Sequence, residues 1–243
     1  MTVQHEVKID GTSYAAVLSD DPETLSAAKA AGWVSVAILR ESCRESRAME
    51  MEYALELPEN PEEDYQEKVL IPYLERVIRR HLNLPWNICE TKRLTIREFS
   101  IEDAGQIPKE ETDTLADAVF YTPELLDAYI KNQYRFYEYG VWALVRKADG
   151  MIVGTAGLTQ WEGPDGWPDQ AEGKLEPEED FSLELGYHIF LPYRRQGYGE
   201  EACRGILSWA KEEYDCPVRA KVKPDNTASV RLLEKLGIPY WKI

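Results

Sequence analysis

The spacing of apolar residues changes several times along the chain, and each change marks an element. Tyr14–Leu18 and Trp33–Leu39 are short, almost unbroken apolar runs of the kind buried strands carry. Between them Pro22–Ala31 reads as a small-residue helix, with Asp20 or Asp21 placed to cap it and Gly32 to stop it. Met51–Leu57 alternates like a strand. Glu62–Leu82 has helical spacing, with Val69, Leu70, Tyr73, Leu74, Val77 and Ile78 near one face. This strand–helix–strand order predicts a small α/β unit over 1–88. Leu84-Pro-Trp-Asn87 reads as a linker, which puts a boundary near residue 90.

A second pattern runs from 91 to 243. Leu94–Phe99 alternates as a strand, and Ser100 with Asp103 opens a helix in capping-box fashion. Tyr134–Tyr139 closes a further helical stretch. Val141–Lys147 and Met151–Thr159 form a hairpin around Asp149-Gly150. Residues 161–181 form a long loop, and Leu183–Phe190 is a strand. The next helix starts at Gly199, with Ala202, Cys203, Ile206, Leu207 and Ala210 on one stripe. Val218–Val222 is a strand, Asn226–Leu236 a helix ended by Gly237, and Ile238–Ile243 a short strand. The fold class is therefore mixed α/β (α+β), without internal repeats.

At 243 residues and 44% hydrophobic, the chain can bury one large core or two modest ones. The net charge is −16, which argues against a general nucleic-acid binder. The charge is uneven: residues 181–243 hold 8 acidic and 10 basic side chains, the only basic section. Cys43, Cys89, Cys203 and Cys216 lack paired metal spacing and read as reduced thiols. The N-terminus has no signal-peptide apolar region, and no apolar run nears the ~18–20 residues of a membrane span. The expectation is a cytoplasmic protein with no membrane partner.

That basic section contains Leu191-Pro-Tyr-Arg-Arg-Gln-Gly-Tyr-Gly-Glu-Glu-Ala202 between a strand and a helix. The start of a helix presents unpaired N–H groups and the positive end of a dipole. Glycines at 197 and 199 let an outside group approach that backbone, and Arg194 and Arg195 add charge. Together they describe an anion site, most naturally for phosphate. Gly197 to Ala202 also fits the dinucleotide pattern G-x-G-x-x-A, but that fingerprint needs the strand to run directly into the first glycine. Here Pro192–Gln196 intervene. A plain glycine-rich packing turn would leave the tandem arginines unexplained.

Glu184-Leu-Gly-Tyr-His-Ile189, Arg194-Arg-Gln-Gly-Tyr-Gly199, Asn226-x-x-Ser229 and Glu234-Lys-Leu-Gly237 resemble the GCN5-related N-acetyltransferases, above all the branch that acetylates N-termini of ribosomal proteins. With Leu94-Thr-Ile-Arg-Glu-Phe99, the resemblance extends over roughly 91–243. It implies acetyl-CoA, with Arg194, Arg195, Gln196, Gly197, Tyr198 and Gly199 as the pyrophosphate loop. It places Ile189 and Leu191 beside the pantetheine and brings Asn226 and Ser229 to the same arm. The sequence departs from the family in three places. Position 195 is commonly Gly. Position 233, commonly Tyr, is Leu. Two strands normally follow Lys-Leu-Gly where only 238–243 remain, so residues 1–90 or a second copy in a homodimer would have to cover the sheet edge.

The implied reaction is acetyl transfer to a primary amine, of a protein N-terminus or a small molecule. At pH 7 deprotonating a lysine-like amine costs about 4.6 kcal/mol and an α-amino group about 1. Glu184, on the strand leading to the loop, is the candidate base; His188 is the next, against a packing role. Ser229, Tyr240 or solvent would protonate the thiolate, and a backbone N–H near Ile189 would hold the oxyanion. The rival reading is a non-catalytic acyl-CoA-binding or regulatory module. Residues 161–181 carry eight acidic residues and one lysine around Trp161, Trp167 and Phe181. They read either as a solvated loop or as a negative entrance for cationic amines.

Leu18-Ser-Asp-Asp-Pro to Gly32 resembles the last motif and helix of haloacid-dehalogenase-like phosphatases, and Lys8-Ile-Asp10-Gly-Thr faintly echoes their nucleophile motif. The nucleophile position falls on Lys8, and about ten residues separate motifs that need a domain between them. The resemblance therefore implies a packing, dimer-contact or acceptor-recognition unit, without phosphatase chemistry.

Overall fold

A computed structural model describes residues 1–39, 53–57, 64–110, 118–163, 181–214 and 216–243. The chain divides into two compact units, Met1–Trp86 and Asn87–Ile243. The boundary between them falls within Leu84–Asn87, and Asn87 begins the first strand of the second unit.

In the first unit, strands β1 (Thr2–Ile9), β2 (Thr12–Ser19), β3 (Val34–Leu39) and β4 (Tyr53–Glu56) form a sheet in that order. β1 is antiparallel to β2, and the other pairs are parallel. β1 alternates exposed residues with Val3, His5, Val7 and Ile9, and the polar His5 in its inward row interrupts the apolar pattern that would mark it in the sequence. Asp10-Gly11, the echo of a nucleophile motif, is the two-residue turn of the β1–β2 hairpin. Its φ angles of 50° and 81° are those of a type I′ turn, which an Asp-Gly pair adopts readily.

Helix α1 (Pro22–Ala30) is capped by Asp21, whose carboxylate accepts from the backbone of Glu23 and Thr24. A π-helical turn at Gln66–Leu70 leads into helix α2 (Ile71–His81). Successive strand residues point to opposite faces. Ala16 and Leu18 accordingly pack with Leu70, Leu74 and Val77 beneath α2, while Val17 meets Leu25 and Ala28 of α1. Covering both faces explains why β2 reads as a continuous apolar run.

The second unit is a seven-stranded sheet: β5 (Asn87–Glu90), β6 (Leu94–Arg97), β7 (Val141–Arg146), β8 (Ile152–Gln160), β9 (Leu183–Ile189), β10 (Val218–Val222) and β11 (Tyr240–Lys242). Spatial order follows chain order. Pairs from β5 to β9 are antiparallel, whereas β9–β10 and β10–β11 are parallel.

The expected helix after Ser100 is a 3₁₀ segment, Ile101–Gln106, with the capping box formed as predicted. Arg97 grips Asp103 through both carboxylate oxygens at 2.6 and 2.9 Å. The next helical stretch is broken into α3 (Ala118–Tyr121), α4 (Pro123–Tyr129), a π turn (Ile130–Tyr134) and α5 (Arg135–Tyr137). Buried Tyr134 ties it to the sheet: its hydroxyl donates to Val141 O at 2.6 Å and accepts from Phe99 N at 3.2 Å.

Helix α6 (Tyr198–Glu213) packs against β5, β6, β8 and β9, and α7 (Thr227–Leu236) against β10. Trp142 lies edge-on to Trp209 of α6, whereas its neighbour Ala143 joins Phe99, Leu126 and Phe190 in the core on the opposite face. The sheet is thus covered on both sides. Among the described residues β11 is the last strand of this sheet. No described helix is long and apolar enough to cross a membrane. The acidic stretch with Asp165, Trp167, Asp169 and Glu172 lies outside the described residues.

Candidate active site

The site begins with strands that part company. β9 and β10 pair only at Leu183–Val218 and Glu184–Arg219. β9 nevertheless stays in register with β8 as far as Ile189–Gly154. β10 therefore diverges from β9 beyond Glu184, and a cleft of about 860 Å³ opens between them. Its walls include Tyr187 and Ile189 from β9, Val222 from β10, and Asn226, Ser229 and Leu233 from the region of α7. Gly197 and Gly199 close the end nearest α6.

The loop at that end has a built shape. Arg194 donates from Nε to Ile189 O at 2.7 Å and from Nη2 to Glu110 Oε2 at 2.9 Å. Glu110, with only 5% of its side chain exposed, also accepts from Leu191 N at 2.7 Å and meets His188 Nε2 at 3.1 Å. Gln196 Nε2 turns back onto Pro192 O. From the β5–β6 turn, Arg93 donates from Nη1 to Gln196 O at 2.9 Å and pairs through Nε with Glu201 Oε2 at 2.6 Å. Its guanidinium lies 4.4 Å from the centre of the Tyr198 ring.

Gly197 caps α6 at φ 83°, a left-handed geometry that favours glycine. A Cβ at Gly199 would stand 3.2 Å from the Tyr187 ring, so this helix turn lies hard against the strand. Arg195 takes φ 62°, which explains physically why glycine suits this position.

The first backbone bond of α6 runs from Glu201 N to Gly197 O, and no side chain caps the helix. The N–H groups of Tyr198, Gly199 and Glu200 therefore precede the helical ladder. Two carboxylates in this first turn would repel an anion, but both are paired. Glu200 is held below its usual range by Lys235 at 2.7 Å and by Arg204. Glu201 is pushed up by burial, yet the hydrogen bonds from Thr91 and Arg93 outweigh this and hold it low. With Arg195 and Lys223 also lining the cleft, the helix start suits a polyanionic group whose narrower arm enters between the strands.

The candidate catalytic groups divide by strand face. Glu184 lies at the closed end of the wedge, beside the cleft-lining residues. Burial raises its carboxyl above the usual range, while Lys221, 3.5 Å away on β10, opposes the rise. Trp161 stacks near Trp241 at 4.9 Å, and Lys221 Nζ lies 5.1 Å from the Trp161 ring. His188 shares the Glu184 face of β9 and is tied to Glu110.

Asn226 caps α7 by accepting from Ser229 N at 3.2 Å. Ser229 Oγ meets the Tyr187 hydroxyl at 2.9 Å across the cleft.

Three sequence candidates lie away from the cleft wall. Leu191 is 60% exposed and its N–H is taken by Glu110. Gln196 folds onto its own loop. The Tyr240 hydroxyl donates to Glu234 at 3.1 Å because β11 places it beyond β10.

Arg93, Glu110, Tyr187 and Lys221 were not singled out from the sequence. Tyr187 lay inside a quoted motif. The others are distant in sequence from the loop or the Glu184 carboxylate they touch, so no local pattern could have marked them.

Comparison with known proteins adds an independent observation. The acetyltransferase (GNAT) domain profile matches residues 93–238. The uncharacterized N-acetyltransferase YjdG of Bacillus subtilis (strain 168) is 28% identical over 143 residues, covering 58% of this chain and 72% of that protein. The uncharacterized protein YkkB of the same organism is 30% identical over 114 residues, 46% of this chain and 58% of its own length. Similar solved structures include a GNAT-family acetyltransferase from Bacillus anthracis, at 21% identity and TM-score 0.44, covering 61% of this chain and 81% of that one. Another is the ribosomal-protein-S5-alanine acetyltransferase from Vibrio fischeri, at 18% identity and TM-score 0.45, covering 63% and 82%.

Proposed function

The chain belongs to the acetyltransferase (GNAT) domain family, and from that premise we propose that it transfers the acetyl group of acetyl-CoA to a primary amine. The observation that carries this reading is the parting of β9 and β10 directly beside a helix start with open N–H groups. Such a place accommodates an extended arm ending in phosphates. Acetyl-CoA supplies an activated thioester; the chain's own residues orient it, shield it and move protons.

In this reading Gly197, Tyr198 and Gly199 offer backbone donors to the pyrophosphate, and Arg195 adds charge. Arg194 acts indirectly, by fixing the loop to Ile189 and Glu110. Ile189, Asn226 and Ser229 line the narrower arm. Glu184 takes the proton of the attacking amine, which is the larger task for lysine-like acceptors and the smaller one for protein N-termini. His188, held by Glu110, supports the loop. We place the reaction in the cytoplasm with a peptide or small-molecule amine as acceptor, and assign the first unit to packing, dimer contact or acceptor recognition.

Thermal unfolding with CoA, followed by thiol release from acetyl-CoA against an amine panel, tests the proposal. Saturation at about 100 Kd stabilises the fold by ~2.7 kcal/mol, or about 5–10 °C in Tm. Gly197→Asp abolishes that shift by adding bulk and negative charge to the loop. Glu184→Gln lowers kcat while sparing CoA binding. Binding without turnover by any amine would establish the non-catalytic module instead, and no CoA effect at all would sink both readings.

A further inference from the structure

The Tyr187 hydroxyl in the cleft remains without a role. The Tyr187 ring lies against Gly199 at the start of α6, so packing sets its position. Its hydroxyl reaches 2.9 Å across to Ser229 Oγ on α7, and both residues line the cleft. Leu233, one turn further along α7, is buried and carries no transferable proton.

Acetyl transfer creates a demand for a proton donor. When the thioester C–S bond breaks, its electron pair stays on sulfur, and the thiolate must gain a proton. A phenol with pKa about 10 lies within roughly 1.5 units of a thiol near 8.5, whereas a serine hydroxyl is a far weaker acid.

We propose that Tyr187 is the general acid of the transfer, giving its phenolic proton to the departing thiolate while Ser229 donates to the phenolate oxygen left behind. This rests on the acetyl-transfer reading above. As the C–N bond forms and the C–S bond breaks, the amine proton passes to Glu184 and the Tyr187 proton to sulfur. Glu184 then releases a proton to solvent and Tyr187 takes one up, leaving an amide, free thiol and an unchanged enzyme. Burial raises the Tyr187 phenol above its usual value against the opposing bond from Ser229, so the donor form prevails at neutral pH.

The test compares parent, Tyr187→Phe and Ser229→Ala by calorimetry with CoA and by kcat from pH 6 to 9.5. Tyr187→Phe should bind CoA within about threefold of the parent and lose about 100-fold in kcat at pH 7. The deficit should narrow above the thiol's own pKa, where the thiolate leaves without help. Ser229→Ala should lose about fivefold, since the phenol remains. Fluorotyrosine at position 187, which keeps the ring and acidifies the phenol, should move the basic limb of kcat to lower pH.

A Tyr187→Phe kcat within twofold of the parent overturns the proposal. So does a loss equal at every pH and matched by lost CoA binding, which marks a packing residue, or a fluorotyrosine enzyme with an unmoved profile. A parent that binds CoA but acetylates no amine sinks the transfer reading itself and this inference with it.

Discussion

Arg93→Ala tests whether the glycine-rich loop before α6 is held from outside the helix it precedes. The guanidinium pairs with Glu201 at 2.6 Å, donates to Gln196 O at 2.9 Å and covers the Tyr198 ring. Its side chain is 40% exposed against 16% for Glu201, so solvent screens the ion pair to about 1 kcal/mol. The bond to Gln196 O adds about 0.5–1 kcal/mol and the ring contact about 0.5. Glu201 keeps its bonds to Thr91 Oγ and Arg93 N in the variant. The expected loss is therefore about 2 kcal/mol, or roughly 4–8 °C in Tm for a domain of this size.

A looser loop should also weaken CoA binding by about tenfold, equivalent to 1.4 kcal/mol. Arg93→Lys should recover less than half of either loss, because an ammonium cannot hold both partners in one plane. Glu201 is a group whose folded pKa is depressed. Its contribution is present above the unfolded value near 4.3 and disappears as pH falls through the folded value. The gap between parent and variant should thus be full at pH 7 and close in acid. Equal melting within 1 °C together with equal CoA affinity at pH 7 would refute the reasoning.

Lys221→Met should move the acidic limb of kcat/KM upward, since Lys221 opposes the burial that already raises Glu184. An unmoved or lowered limb would show that Glu184 is not the titrating base. Arg195→Gly should release about 1 kcal/mol of left-handed strain, offset in part by the added freedom of glycine in the unfolded chain. Melting should therefore hold or rise by about 1–3 °C, while CoA affinity falls several-fold at low salt and less at high salt. A clear drop in Tm, or an affinity indifferent to ionic strength, would contradict this account.

The sequence by itself determined what local physics controls. Asp21 caps α1 and the Ser100–Asp103 box forms because both depend on residues three apart or fewer. The β7–β8 hairpin, the glycines of the loop and the Asn226-led helix were legible for the same reason. Two strands escaped the sequence reading: β1 has the polar His5 in its inward row, and β5 is only four residues long beside a tryptophan.

Only the tertiary structure decided the site. The cleft exists because two strands pair for two residues and then separate, and no residue type encodes how far a ladder extends. Glu110 reaches His188 and Arg194 from 78 and 84 positions away, and Arg93 reaches Glu201 from 108. Tyr187 meets Ser229 across 42 residues. Such contacts arise from chain reversal, which brings together groups whose own neighbourhoods say nothing of one another. The same packing turned Leu191 outward and spent Arg194 on its own loop, although both stand in the expected motif. A motif names the backbone that will be needed; the surrounding fold decides which side chains are left to act.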